Sequence, residues 1–250
     1  TESHRGTNTL RPLTPFWTRP AELAAYPFQS PGPTMLFIWG AWFWLFGALT
    51  RQTMPLFTFL AVIIANGTFY SYCFMLLRRS AAGDDTVPVP HDFLGFGQDA
   101  AGPFFRLVFG TAPMWVPMIV AQFLTPSASL FGGLLQTPAL GLVSLYGLLS
   151  FPMCVMMAAN NSGVIALLNP ILVIGYALRI PRPYLMSLLY VAGLTAVNVF
   201  LVLLLLVKLP EAGFGFPFSL AAEIVLVYPK LLIFRVLGVM IREEESVLEK

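Results

Sequence analysis

The chain has 250 residues, of which 57% are hydrophobic and only 10% are charged, and its mean hydropathy is +0.77. A soluble domain carries roughly 25% charged residues, because its water-facing surface needs them. Much of the surface of this chain is therefore expected to face lipid. The net charge of +2 is small and argues against nucleic acid as a partner.

The apolar runs predict an all-α, polytopic membrane helix bundle. A polar, proline-rich segment at residues 1–33 is expected in the cytoplasm, the membrane domain covers 34–241, and a charged cytoplasmic tail follows at 242–250. A helix that crosses ~30 Å of hydrocarbon needs about 20 residues at 1.5 Å each. Six stretches meet this requirement: Pro33–Leu49, Pro55–Leu77, Phe104–Leu124, Leu134–Met157, Tyr184–Leu209 and Phe216–Ile241.

Two further segments, at about 88–103 and 161–181, are predicted to be interfacial or re-entrant rather than spanning. In the second segment, Asn169 is suited to cap a helix that has Pro170 at its first position. That helix would have about 11 residues and reach only ~16 Å, which is too short to cross the hydrocarbon.

The positive charges predict the orientation. With six spans and the N-terminus inside, ten Lys and Arg residues lie on the inner side and two on the outer side. This asymmetry is what the positive-inside rule requires. We therefore predict a multi-pass protein of the bacterial inner (cytoplasmic) membrane with both termini in the cytoplasm. The inner residues are Arg5, Arg11, Arg19, Arg78, Arg79, Arg106, Arg179, Arg182, Arg242 and Lys250; the outer ones are Arg51 and Lys208.

Several short sequence patterns lie near the ends of the predicted spans. They include Phe16-Trp17, Tyr26-Pro27, Leu77-Arg78, His91-Asp92-Phe93, Phe151-Pro152, Asn169-Pro170 and Phe234-Arg235-Val236-Leu237-Gly238. In this order the chain resembles a family of uncharacterised bacterial multi-pass membrane proteins near the Yip1-like and glycerophosphodiesterase membrane-domain group. The resemblance covers most of the chain and implies a topology. It implies no activity and, since no cysteine precedes the first span, no metal.

The sequence contains no catalytic motif. There is no Gly-x-Ser-x-Gly, no phosphate-binding Walker loop and no dinucleotide-binding loop, and the predicted spans hold neither Asp nor His. We therefore predict a protein that is not an enzyme, with no catalytic residues, no metal and no cofactor. Asp84-Asp85 after the second span could bind a surface cation, but a solvated loop beside Arg78 and Arg79 is the simpler interpretation.

Charges within the last predicted span give the strongest local signal. Glu223 and Lys230 are seven residues apart, which is two turns along one helix face, and Arg235 lies nearer the cytoplasmic end. Intramembrane charges usually face protein or water. Together with Asn66 and Asn198 they form a predicted intramembrane polar site. It serves either as an ion or substrate pathway or as an anchor against a neighbouring helix.

The leading functional hypothesis is a non-enzymatic accessory or scaffold subunit of a bacterial inner-membrane complex. Its expected partners are the lipid bilayer and either other membrane proteins or further copies of the chain. Two alternatives stay open. One is a small-molecule or ion transporter that uses the intramembrane charges, and the other is a lipid-handling or membrane-shaping protein based on the interfacial segments.

Overall fold

The computed structural model describes residues 15–50, 55–89, 98–124, 137–159, 164–208 and 216–248. Within these ranges the regular secondary structure is helical. Two short 3-10 turns, Phe16–Thr18 and Tyr26–Phe28, flank the first α-helix, and a π-helical segment, Leu203–Lys208, extends the ninth. The α-helices are α1 (Pro20–Ala25), α2 (Gly32–Thr50), α3 (Pro55–Ala81), α4 (Gln98–Gly110), α5 (Ala112–Leu124), α6 (Pro138–Ala159), α7 (Val164–Leu168), α8 (Pro170–Arg179), α9 (Pro181–Val202) and α10 (Phe216–Leu248).

Five helices among the described residues are long and apolar enough to cross a membrane. The prediction of an all-α, multi-pass helix bundle is therefore confirmed. Helices suit this role because a bilayer offers no water to backbone N–H and C=O groups, which must bond one another instead. The five stretches are Gly32–Thr50, Leu56–Ala81, Pro138–Ala159, Pro181–Leu205 and Phe218–Glu243.

The predicted third span, Phe104–Leu124, is not one continuous helix. It is divided at Thr111 into α4 and α5, each of 13 residues and therefore about 20 Å long. Pro113 explains the break, because it has no N–H to donate and its ring clashes with the carbonyl of Phe109 four residues earlier. At the break, the backbone N–H and the hydroxyl of Thr111 both donate to the carbonyl of Leu107, at 2.9 and 2.7 Å.

The predicted cap at Asn169 is present. Its side-chain oxygen accepts a hydrogen bond from the backbone N–H of Ile171 at 3.0 Å, and Pro170 opens α8. With five and ten residues, α7 and α8 are both too short to cross a bilayer. Of the predicted segment at 88–103, residues 90–97 lie outside the described part of the chain, and α4 begins at Gln98.

The core is centred on α10, which packs against α2, α3 and α9. Of its most hydrophobic stretch, 72% is buried, compared with 50% for α3 and 28% for α2. A cluster of aromatic rings joins α2, α3 and α10. The ring centroids of Trp39 in α2 and Phe69 in α3 are 5.3 Å apart, and those of Phe74 in α3 and Phe234 in α10 are 5.8 Å apart.

Close helix contacts depend on small residues. A Cβ placed on Gly238 of α10 would lie 2.5 Å from the carbonyl oxygen of Leu77, and one on Gly147 of α6 would lie 2.2 Å from the backbone nitrogen of Met114. Since lipid tails are as apolar as leucine, membrane helices associate through such close packing rather than through the hydrophobic effect.

Both ends of the described chain meet at one end of the bundle. α10 continues as a helix to Leu248, so the first residues of the predicted tail at 242–250 are helical. Residues 15–31, which we call the N-terminal strap, fold back along α10. Phe16 is fully buried, and its ring lies 5.8 Å from that of Tyr190 in α9.

Candidate functional site

α10 carries all three charged residues of the predicted polar site. Lys230 lies at the middle of the 26-residue stretch Phe218–Glu243, with Glu223 two turns before it. Both side chains are half-buried, while Arg235 is buried. The face of α10 that bears these charges is thus covered in part by the neighbouring helices.

The Lys230 ammonium packs against an aromatic ring of α2, with its nitrogen 4.8 Å from the centroid of Phe43. A lysine at the centre of a membrane helix costs about 2.5–3.5 kcal/mol on insertion scales, and a desolvated cation–π contact returns ~2 kcal/mol. Glu223 is near enough to add a Coulombic attraction. The ring and the carboxylate together offset part of the cost of placing this charge in the membrane.

The two predicted asparagine partners of these charges lie on other helices, Asn66 on α3 and Asn198 on α9. Asn66 donates from its side chain to the carbonyl of Val62 at 2.9 Å, and Thr68 donates to the carbonyl of Ile64 at 2.7 Å. Both bonds stay within α3. Asn198 is half-buried on α9. The structure therefore places Lys230 against Phe43, with Glu223 nearby, and the contact with Phe43 was not predicted.

Arg235 belongs to a second cluster, at the end of the bundle. Its guanidinium donates to the hydroxyl of Ser80 at 2.8 Å and to the carboxylate of Asp85, and it lies 4.3 Å from the ring centroid of Tyr26. The arginine side chain is 9% exposed, whereas that of Asp85 is 64% exposed. A loop residue thus neutralises a buried cation of α10.

The N-terminal strap encloses this second cluster through tyrosine hydroxyls that donate to backbone carbonyls. Tyr26 donates to Thr86 at 3.1 Å, Tyr228 to Ala24 at 2.9 Å and Tyr190 to Trp17 at 3.4 Å. Burial is the main cause that raises the pKa of Tyr26 to about 12, and the nearby charge of Arg235 partly opposes it. The Tyr26 hydroxyl therefore stays protonated and able to donate at physiological pH.

Between the strap, the loop after α3 and the end of α10 lies a cavity of about 80 Å³. Its charged lining consists of three arginines and two carboxylates, and Tyr26 forms part of the wall. The charged residues are Arg19, Arg235, Arg242, Glu22 and Asp85. The guanidinium nitrogens of Arg19 lie 3.3 Å from a carboxylate oxygen of Glu22 and 3.7 Å from one of Glu243. A guanidinium nitrogen of Arg242 lies 3.9 Å from a carboxylate oxygen of Asp85.

The loop at 82–89 is ordered by its own aspartate. The Asp84 carboxylate accepts from the backbone N–H of Thr86 at 2.9 Å and from its hydroxyl at 2.7 Å, and these bonds lower the pKa of Asp84. This bonding holds the chain beside Asp85, which faces Arg235. Within the described ranges, no group of three or more His, Cys, Asp or Glu side chains is placed to hold a metal ion.

Sequence reasoning missed Ser80, Asp85 and Tyr26 as partners of Arg235. A signal was present, because Asp84-Asp85 follows the second span directly and Arg235 needs an anion near the same end of the bundle. The pairing of the two could not be assigned without knowing that α3 and α10 are neighbours.

No protein-family model matches this sequence, and no curated protein or solved structure is significantly similar to it. The chain is a multi-pass helical membrane protein by its structure alone.

Proposed function

We propose that the chain is a non-enzymatic accessory or scaffold subunit of a bacterial inner-membrane complex. The observation that supports this role is the surface of α9. Its apolar stretch, Pro181–Leu205, has the highest hydropathy of the five, 2.4, yet only 6% of its most apolar 18 residues are buried. α9 packs on α10 along one side, and the residues on its other side are exposed and available to a partner within the membrane.

The exposed face of α9 has the composition of a helix-packing surface. Ala192, Gly193 and Ala196 are exposed there, and a Cβ on Gly193 would meet no atom within 4 Å. Small residues at this spacing let a second helix approach closely. Thr195 on the same face is also exposed and can hydrogen-bond across such a contact.

The proposed orientation places both termini in the cytoplasm. The contacts of Arg19 with Glu243 and of Arg78 with the carbonyl of Ala159 gather cationic residues at one end of the bundle. Together with the charge asymmetry of the sequence, this supports an N-in, C-in topology. The likeness to the Yip1-like and glycerophosphodiesterase membrane-domain group remains part of this proposal, at the level of topology.

The test is photo-crosslinking in intact membranes. A photoreactive amino acid at Val197 of α9, which is 51% exposed, should give one protein adduct of defined mass, either a partner or a second copy. The matched position is Phe59 of α3, which is 60% exposed and should crosslink to lipid only. If Val197 also crosslinks only to lipid, α9 has no protein partner and the scaffold role is wrong.

Lys230 supports a second candidate, a small-molecule or ion transporter, because its charge lies at the middle of a membrane stretch. Lys230→Met separates the two functions. For an anchor, the change leaves Glu223 poorly compensated and lowers the melting temperature in detergent. For a transporter, it abolishes flux in reconstituted vesicles while fold and assembly stay intact.

A further inference from the structure

The cavity under the N-terminal strap has the chemistry of a ligand site that neither the scaffold role nor the transport alternative requires. It lies where the chain leaves the membrane: Asp85 follows the end of α3, and Arg242 is near the end of the apolar stretch of α10. Lipid head groups occupy this zone of a bilayer. Two apolar side chains of the strap, Phe16 and Leu23, contribute to the cavity wall.

The charges of the cavity are arranged by depth. Arg235, the most buried of them, has a side chain that is 9% exposed, while Arg19 and Arg242 are about one-third exposed, at 35% and 34%. The two carboxylates are at the rim, since the Glu22 side chain is 66% exposed and that of Asp85 is 64% exposed. Guanidinium groups therefore lie deepest, and carboxylates face the solvent.

Arg235 also retains an unused donor. Its Nε is buried and has no hydrogen-bond acceptor within the described part of the chain. Guanidinium groups pair with phosphate through several parallel N–H bonds, and a buried donor without an acceptor is costly. An oxyanion in the cavity would offer this donor an acceptor.

A purely anionic ligand would meet like charge at Asp85 and Glu22 on the rim, and a purely cationic one would be repelled by the three arginines. A zwitterion with its anionic group deep and its ammonium outward meets both sets of charges with the correct sign. The volume of about 80 Å³ has room for about five to eight water-sized groups at ~10–15 Å³ each. That is about the size of a phosphate with an aminoethyl arm.

We propose that this cavity binds a phosphate–ammonium zwitterion of the phosphoethanolamine type. The phosphate contacts Arg235 and Arg242, and the ammonium donates to Asp85 and Glu22. The same order of charges holds for a phospholipid head group that enters from the membrane, because its phosphate lies nearer the acyl chains than its amine. The soluble source of the same chemistry is glycerophosphoethanolamine.

The test uses the full chain, purified in detergent and stripped of lipid, with lipid binding measured by native mass spectrometry. Phosphatidylethanolamine should bind about tenfold or more tightly than phosphatidylglycerol, which has no cation, and than phosphatidylcholine, whose trimethylammonium cannot donate hydrogen bonds. Equal binding of the three lipids would overturn the proposal.

Two variants test which residue binds the phosphate of the ligand and which binds its ammonium. Arg242→Gln should weaken phosphatidylethanolamine and phosphatidylglycerol alike, by roughly tenfold, because both lose a charge-assisted bond to phosphate. Asp85→Asn should abolish the preference for phosphatidylethanolamine over phosphatidylglycerol, while both lipids keep or gain phosphate affinity because Arg235 and Arg242 lose a carboxylate partner. The matched control is Arg182→Gln on the exposed start of α9, which should change nothing. If Arg242→Gln behaves like this control, the arginine does not bind the ligand and the proposal fails.

Two further measurements keep the test decisive. Melting in detergent checks that each variant is folded. If Asp85→Asn is not folded, because Arg235 then loses a partner, Glu22→Gln at the exposed rim is measured instead. It should likewise abolish the preference for phosphatidylethanolamine. Competition by glycerophosphoethanolamine at concentrations similar to the lipid identifies a soluble ligand. A lack of competition identifies the lipid head group, and either result supports the site.

Discussion

α9 and α10 are almost equally apolar, but they occupy opposite environments. Their membrane-length stretches have 25 and 26 residues and hydropathies of 2.4 and 2.1, yet within the most apolar 18 residues of each, 6% of one and 72% of the other are buried. Hydropathy therefore determines that both helices enter the membrane, but not which one is central. What differs is whether the small and polar residues of each helix contact other helices of the same chain, as they do in α10.

The differences between the two helices lie in single residues. α10 has Gly238 in close contact with α3, Lys230 over Phe43 and Arg235 beside Ser80. In α9 the buried positions are Ser187 and Val191, one turn apart, so its contact with the bundle is a narrow strip. The exposed remainder of α9 is suited to lipid or to another helix.

The largest expected effect is that of removing a ring from each helix. Phe234 of α10 is 4% exposed and packs against Phe74, so Phe234→Ala should cost about 3–5 kcal/mol of stability. Phe200 of α9 is 62% exposed, and Phe200→Ala should change stability by no more than ~0.5 kcal/mol. Melting of both variants in the same detergent measures the difference, and equal losses would contradict the contrast between the helices.

A smaller effect is expected from adding one methyl group to each helix. Gly238→Ala forces a Cβ against the carbonyl of Leu77 and should destabilise by about 1–3 kcal/mol. Gly193→Ala has free space and should be neutral or stabilising by up to ~1 kcal/mol, because alanine favours the helix.

A larger residue at Gly193 extends this test to the proposed partner. Gly193→Leu should leave the melting of the isolated chain unchanged but reduce the crosslinking from Val197. Loss of stability in the isolated chain would show that α9 packs more tightly within the chain than its exposed surface indicates.

The connection into α9 should respond more weakly. Asn169→Ala removes the cap of α8 and should cost about 1 kcal/mol without changing the topology. Asn169→Ser, which preserves a capping oxygen, is the control. If the two variants melt at the same reduced temperature, the cap bond is not the cause of the loss.

The smallest effect concerns the loop that holds Asp85 beside α10. The pKa of Asp84 is below its ordinary value of 3.8, so its bonds to Thr86 stabilise the loop above that pH, and this stabilisation is lost as the pH falls through the lowered pKa. Thr86→Val removes the hydroxyl bond and should raise the pKa of Asp84 towards 3.8. Carboxyl NMR signals followed across the acid range measure this change, and an unchanged pKa would contradict the assignment.

The sequence predicted most features that depend on local chemistry. The start of α3 at Pro55 and the cap at Asn169 agree with the structure, because proline and asparagine act on their immediate neighbours. Pro113 in the apolar run predicts a kink, but not the division of the span into two helices at Thr111 that the structure shows. The partners of Arg235 were missed for another reason: Tyr26 and Asp85 lie 209 and 150 positions away, and only the packing of the helices brings them together.

The N-terminal strap imposes an order of events on biosynthesis. The bond from Tyr228 to the carbonyl of Ala24 joins positions 204 residues apart, so a ribosome that adds ~5–20 residues per second completes the second partner roughly 10–40 s after the first. During that interval the strap has no α10 to cover, and its aromatic side chains can stay in the membrane interface, which accommodates such rings. The strap can therefore dock only after α10 has been inserted, so its docking reports that this helix is in place.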